Sequence, residues 1–173
     1  MTEVTISDEG RRLLGLWAAD CAERALPLFE ATAPSDTRPR EALEGIRAYA
    51  REEIRKGPLR ALATAALAAA RDAGDPAATA AARAAGYAAA APYIHALASP
   101  HQAKHALASA MYGALARERV AGAAAGDEEI RWAIEHAPDA VRSIVRQMPV
   151  FSPGRSRLDA FRHALDAALR HAR

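Results

Sequence analysis

Leu16-Trp17-Ala18-Ala19-Asp20-Cys21-Ala22-Glu23-Arg24-Ala25-Leu26-Pro27-Leu28-Phe29-Glu30 reads as a helix that is apolar around most of its circumference. Helices of that kind are buried, so the rest of the chain is expected to pack around this one. The same stretch holds the one cysteine, a tryptophan and charged groups that will need partners, and Asp36-Thr37-Arg38-Pro39-Arg40 follows close behind. Outward from it the composition stays helical. Alanine, the best helix former, makes up about a quarter of the chain. β-Branched residues are sparse and no run alternates with period two.

Start and stop signals divide the chain. Ser7 with Asp8 and Glu9 opens a first helix expected to run to about Thr32, with a kink at Pro27 because its ring clashes with the carbonyl four residues back. Pro39 sits at the first position of a second helix, with the stripe Leu43, Ile46, Ala50 and Ile54, ending at Lys56-Gly57. Pro58 starts a third. After Gly74-Asp75-Pro76 a fourth is expected to extend towards Ala98, bent at Pro92, and Ser99-Pro100 opens a fifth that lasts to about Ala124. Asp127 is expected to cap a sixth, and Ala137-Pro138 breaks into a seventh. Pro149 to Ser156 forms a linker before a last amphipathic helix with Leu158, Phe161, Leu165 and Leu169 on one face. The expected fold is therefore all-α, a single-domain bundle of seven or eight helices with a central, largely buried N-terminal helix. Residues 1–151 form the core, and 152–173 a linker and helix packed on the same domain.

At 173 residues one core is large enough to fold without disulfides or metal. One cysteine excludes an internal disulfide, and the first residues lack the basic and apolar regions of a signal peptide, so a cytoplasmic location is expected. No alanine-rich run reaches about eighteen strongly apolar residues without a charge, so no membrane span is expected. The net charge of +2 and the pI near 9.0 reflect interspersed acids and bases, too slight an excess to indicate nucleic acid.

Three constellations have the residue types that carry chemistry. Trp17, Cys21, Arg24 and Leu28 follow i, i+4, i+7, i+11, and Asp20 stands four residues before Arg24. They form either an Asp20–Arg24 pair beside core packing or the floor of a ligand pocket. A catalytic Cys21 would need its thiol pKa lowered by a cation such as Arg24 or Arg38. On the fifth helix His101, His105, Ala108 and Tyr112 share a stripe. The histidine spacing is that of two zinc ligands, but the glutamate of His-Glu-x-x-His is missing and no third ligand stands out beyond His95, so no metal is expected. Arg38 precedes a proline and is pushed out of the helical region, which makes it the expected N-cap of the second helix. Its guanidinium and that of Arg40 are then available for a salt bridge or for an anionic ligand. Ser109 has no acid partner and no glycine loop cradles a phosphate; no cofactor is expected, and catalysis is the less favoured reading.

With these residues assembled, the chain resembles the immunity-protein-five-like family of bacterial all-α proteins assigned to polymorphic toxin systems. The resemblance rests on Leu-Trp-Ala-Ala-Asp-Cys-Ala-Glu-Arg at 16–24 with Phe29, Arg38-Pro39-Arg40 with Glu41-Ala42, and Ala84-Ala85-Gly86. It continues through His101-x-x-x-His105-Ala106 with Tyr112, and Trp132 with Pro138. These span about residues 13–148 and leave out the final helix. The resemblance implies stoichiometric neutralisation of a partner toxin and supplies no catalytic residues. The residues themselves allow another reading. Trp17, Cys21, Arg24, His101, His105 and Tyr112 look interior and convergent, more like a small-molecule pocket than a docking face. In that reading Asp20, Arg38 and Arg40 join the lining, for sequestration or catalysis. A homodimer through the last helix is a third expectation.

Overall fold

The computed structural model describes residues 3–96 and 98–171, and every element the sequence predicts is helical. The helices are α1 (Asp8–Glu23), α2 (Leu26–Thr32), α3 (Arg38–Ala50), α4 (Gly57–Asp72), α5 (Pro76–Ala90), α6 (Pro100–Ala121), α7 (Ala123–Glu135), α8 (Asp139–Gln147) and α9 (Arg157–His171), with a 3-10 turn at Ala91–Tyr93. The described residues form one all-α domain, and none of their helices is long and apolar enough to cross a membrane.

Caps fix several starts. The Ser7, Asp75 and Ser99 side chains accept the backbone N–H groups of Gly10, Ala78 and Gln102, each satisfying one of the free amides at a helix start. Other boundaries fall where tertiary geometry puts them. Pro27 breaks the first helix instead of kinking it: α1 stops at Glu23, whose carbonyl the proline cannot serve, and Pro27 sits in the first turn of α2. Arg38 is not the N-cap of α3. Thr37 takes that position, and Arg38 lies in the first turn with its N–H donating to Asp36 Oδ1. That helix ends at Ala50, where the chain turns through Glu52 at φ 63°. Ile54 still packs on the core from the loop, which explains why the apolar period outruns the helix. The helix from Pro76 stops at Ala90 as Pro92 shapes the 3-10 turn; Leu97, within its expected span, lies outside the described residues. Gly122, at φ 86°, separates α6 from α7, so Asp127 falls inside α7 and does not cap it.

Two helices hold the middle of the molecule. α1 touches α2, α3, α5, α6, α7 and α8, and α5 is wrapped by α1, α2, α3, α4 and α6. α5 buries nine alanines and Gly86, so its neighbours approach at the distance of a methyl group. α6 comes as close to α1: a Cβ added at Gly113 would lie 3.0 Å from the Cys21 carbonyl oxygen. At the junction of α1, α5 and α6 the buried Ser109 hydroxyl lies 2.6 Å from the Ala18 carbonyl oxygen and 3.0 Å from that of Ala84. A buried polar group there would be costly without those acceptors. Phe161, Leu165 and Leu169 of α9 join the same core, with α9 lying against α6, α7 and α8. Most of the stripe expected to be available for dimerisation is therefore covered within the chain.

Candidate functional site

α1, α3 and α7 enclose an open cleft of about 370 Å³ lined by Trp17, Asp20, Glu23, Arg24, Arg47, Trp132 and His136. Trp17 is its floor. The side chain is buried, and its Nε1–H donates to the Ala133 carbonyl at 2.9 Å, which locks α1 to α7. Trp132 forms one wall and is half-buried. His136, one turn on, stacks against it at 4.1 Å between centroids, and the Arg24 guanidinium lies 4.4 Å from a Trp132 ring centroid. A cation over an indole face at that distance is attracted by the ring quadrupole.

Arg24 is held there from below. Its Nε and Nη2 donate to the two oxygens of Glu129, at 2.5 and 3.2 Å, a fork onto a buried carboxylate. The expected Asp20–Arg24 pair does not form. Arg24 sits just past the last turn of α1, off the helical stripe, and turns to α7, while Asp20 accepts from Arg47 Nη2 at 3.2 Å. Arg47 Nη1 donates to Glu23 Oε2 at 2.7 Å, Arg40 Nη1 to Glu23 Oε1 at 2.6 Å, and Arg40 Nε to Glu30 Oε1 at 2.9 Å. Asp20, Arg47, Glu23, Arg40 and Glu30 thus form a chain of alternating charge that ties α1 and α2 to α3. Burial pushes the Glu23 carboxyl up, but the hydrogen bonds from Arg47 and Arg40 outweigh it and hold the group below the usual carboxylate range.

The thiol of Cys21 is not set up as a nucleophile. Its burial, with Asp20 and Glu129 nearby, pushes its pKa well above the ordinary value, and Arg24 only partly offsets this. At neutral pH the sulfur therefore stays protonated and packs as a small apolar group.

The remaining expected residues lie elsewhere. Arg38 forks onto Asp36 at 2.9 and 2.7 Å and reaches Asp72 at 2.9 Å, joining the start of α3 to the end of α4. On α6, the Nε2 atoms of His101 and His105 are 2.8 Å apart, so one holds a proton that the other accepts. They line a small cleft of about 180 Å³ with Tyr93, His95 and Gln102. His101 is exposed and His105 half-buried. Burial, then His101 and Lys104, keep the His105 pKa below the usual imidazole value. Tyr87 bridges this pair to Tyr112, tilted on His105 at 5.7 Å and stacked on the buried Tyr112 at 5.4 Å. Among the described residues no group of three His, Cys, Asp or Glu side chains is placed to hold a metal ion.

The nine expected site residues thus fall into three settings. Trp17, Asp20 and Arg24 line the α1/α3/α7 cleft, with Cys21 in the core beside them and Arg40 joined through Glu23. Arg38 is at the α3/α4 end, and His101, His105 and Tyr112 are on the α5 side of α6. Contrary to the interior reading, Arg24 and His101 are exposed. Sequence reasoning passed over Glu129, His136 and Arg47 and named Trp132 only in the family resemblance, not as a site residue. The signal for three of them was present: 129, 132 and 136 are spaced i, i+3, i+7 and share one face of α7.

A family model described as Imm-5 like putative immunity protein matches residues 4–140, from the strand of chain before α1 to the start of α8. No curated protein and no solved structure matches the chain.

Proposed function

This chain belongs to the Imm-5 like putative immunity protein family, and we propose that it neutralises a partner toxin by binding it one to one, through the cleft face of α1, α3 and α7 and without chemistry of its own. The observation that carries the choice of face is the Arg24–Trp132–His136 stack at its edge. Tryptophan and arginine dominate binding hot spots because they combine large contact area with directed hydrogen bonds. Here both are half-exposed or exposed, and both are held in place beforehand, Arg24 by Glu129 and the α7 backbone by Trp17. A surface already ordered in the free protein loses little side-chain freedom on binding. The raised Cys21 pKa supports a non-catalytic role.

The other reading, one small-molecule pocket lined by Trp17, Arg38, His101, His105 and Tyr112, is the weaker, since these side chains occupy three separate settings.

Co-expression with candidate toxin domains tests the proposal, with growth rescue and the mass of the purified complex as readouts. A 1:1 complex is expected, and Trp132→Ala should weaken it about thirtyfold or more, the effect of losing a hot spot worth about 2 kcal/mol. Protection by far less than one equivalent of this protein would overturn the stoichiometric mechanism. Unchanged affinity in both Trp132→Ala and Arg47→Glu would overturn the choice of face.

A further inference from the structure

A second cleft, of about 410 Å³, opens where the end of α4 and the faces of α5 and α6 meet, and three of its lining residues are Arg71, Arg83 and Arg119. Helix geometry aims them there. Thr79 and Arg83 are one turn apart on α5, and Leu115 and Arg119 one turn apart on α6, so each pair shares a face. No acid lines this cleft. Asp75, at its edge, faces the neighbouring cleft, which Arg119 also lines, and accepts the Ala78 N–H as the α5 cap without an ion pair to that arginine.

Among the other described arginines about half reach a carboxylate, as at Arg24, Arg38, Arg40, Arg47, Arg51, Arg157 and Arg170, and Arg11, Arg142 and Arg162 reach backbone carbonyls. Among the described residues Arg71 and Arg119 have neither an ion pair nor a hydrogen bond from their guanidinium groups, and Arg83 has only the face of Tyr112 at 5.7 Å. Arg71 and Arg119 lie in the last turns of α4 and α6, where helix dipoles favour a cation. That attraction makes the positions tolerable without neutralising the charges.

We infer that this cleft is a binding site for a compact, multiply charged phosphate-bearing anion. Three guanidinium groups exceed what one carboxylate would neutralise, and their planar donor forks match phosphate oxygens. The Thr79 hydroxyl supplies a further donor on the same face. At the rim, Gly74 carries no side chain, and a Cβ there would meet nothing within 4 Å, which leaves the entrance open. The volume is that of a small-ligand site, and Ala70, Ala80 and Leu115 provide an apolar floor. This site is separate from the α1/α3/α7 face and does not depend on toxin binding there.

Calorimetric titration of the full chain with inorganic pyrophosphate at low ionic strength tests the inference. Saturable 1:1 binding is expected, with Arg71→Gln and Arg119→Gln each weakening it about tenfold. Both side chains are exposed, so the folded protein should survive either change. Arg155→Gln, an exposed arginine outside the cleft, should leave the affinity unchanged. The inference is overturned by the absence of saturable binding, by equal weakening in Arg155→Gln, or by a hexaglutamate peptide binding more tightly than pyrophosphate, which would assign the cleft to an acidic protein segment.

Discussion

The cleft between α1, α3 and α7 displays two arginines, Arg24 and Arg47, with Arg40 joined to them through Glu23, and the one between α4, α5 and α6 displays three, but the two sets meet different surroundings. In the first, Arg24, Arg40 and Arg47 each end on a carboxylate of a different helix, so the charges act as ties within the fold. In the second, Arg71, Arg83 and Arg119 form no ion pair among the described residues, and no acid lines the cleft. Arginine abundance therefore says little by itself about ligands in this chain; what matters is whether a guanidinium already has its anion. The paired set ties α1, α2, α3 and α7 together, and the unpaired set leaves its charge without a carboxylate among the residues lining its cleft.

The sharpest way to break the contrast is Arg24→Ala. It leaves the buried Glu129 carboxylate without its forked partner, which should cost about 2–3 kcal/mol. For a chain of this length the thermal midpoint should then fall by about 5–10 °C. An unmoved midpoint would mean that Arg117, whose Nε is 3.5 Å from Glu129 Oε1, takes over the charge.

A smaller effect is expected from Glu23→Gln. Because the folded state holds the Glu23 carboxyl below its ordinary value of 4.5, the pairing stabilises the fold above that pH and is lost as pH falls through the lower, folded value. Urea midpoints followed from about pH 6 to about pH 3 should show a shallower acid limb in the variant, with about 1 kcal/mol lost at neutral pH because the site is partly solvated. Identical acid limbs in the two proteins would remove Glu23 from the charge chain.

The smallest effect completes the comparison. Arg71→Gln and Arg119→Gln should each change unfolding stability by no more than about 0.5 kcal/mol, since neither removes an ion pair. A loss as large as that of Arg24→Ala would show that the second cleft is also internally bonded.

Three helix starts were legible because their signals are local: Ser7, Asp75 and Ser99 carry their own acceptors into the first turn, whereas Arg38 and Asp127 do not cap α3 and α7. Ends were less so. Ile54 continues the apolar period of α3 from within a loop, and nothing in residues 51–56 announces the turn at Glu52. The site failed for a related reason. The i, i+4 rule pairs Asp20 with Arg24, but Arg24 finds its acid 105 positions away on α7, and Asp20 its base 27 positions away on α3. Long-range ion pairs leave no periodic trace, whereas the aromatic face of α7 did leave one at 132 and 136.

The alanine-lined α5 has a thermodynamic consequence. An alanine side chain surrenders no rotamer freedom on folding, so apart from Thr79, Arg83 and Tyr87 ordering this helix is opposed by backbone entropy alone. Each alanine also hides little apolar area, so unfolding here hydrates less hydrocarbon per residue than in a core of leucine and phenylalanine. The heat-capacity increment should then lie below the usual value of about 12–15 cal/mol/K per residue, which broadens the stability curve and leaves the protein nearly as well folded in the cold as at its optimum.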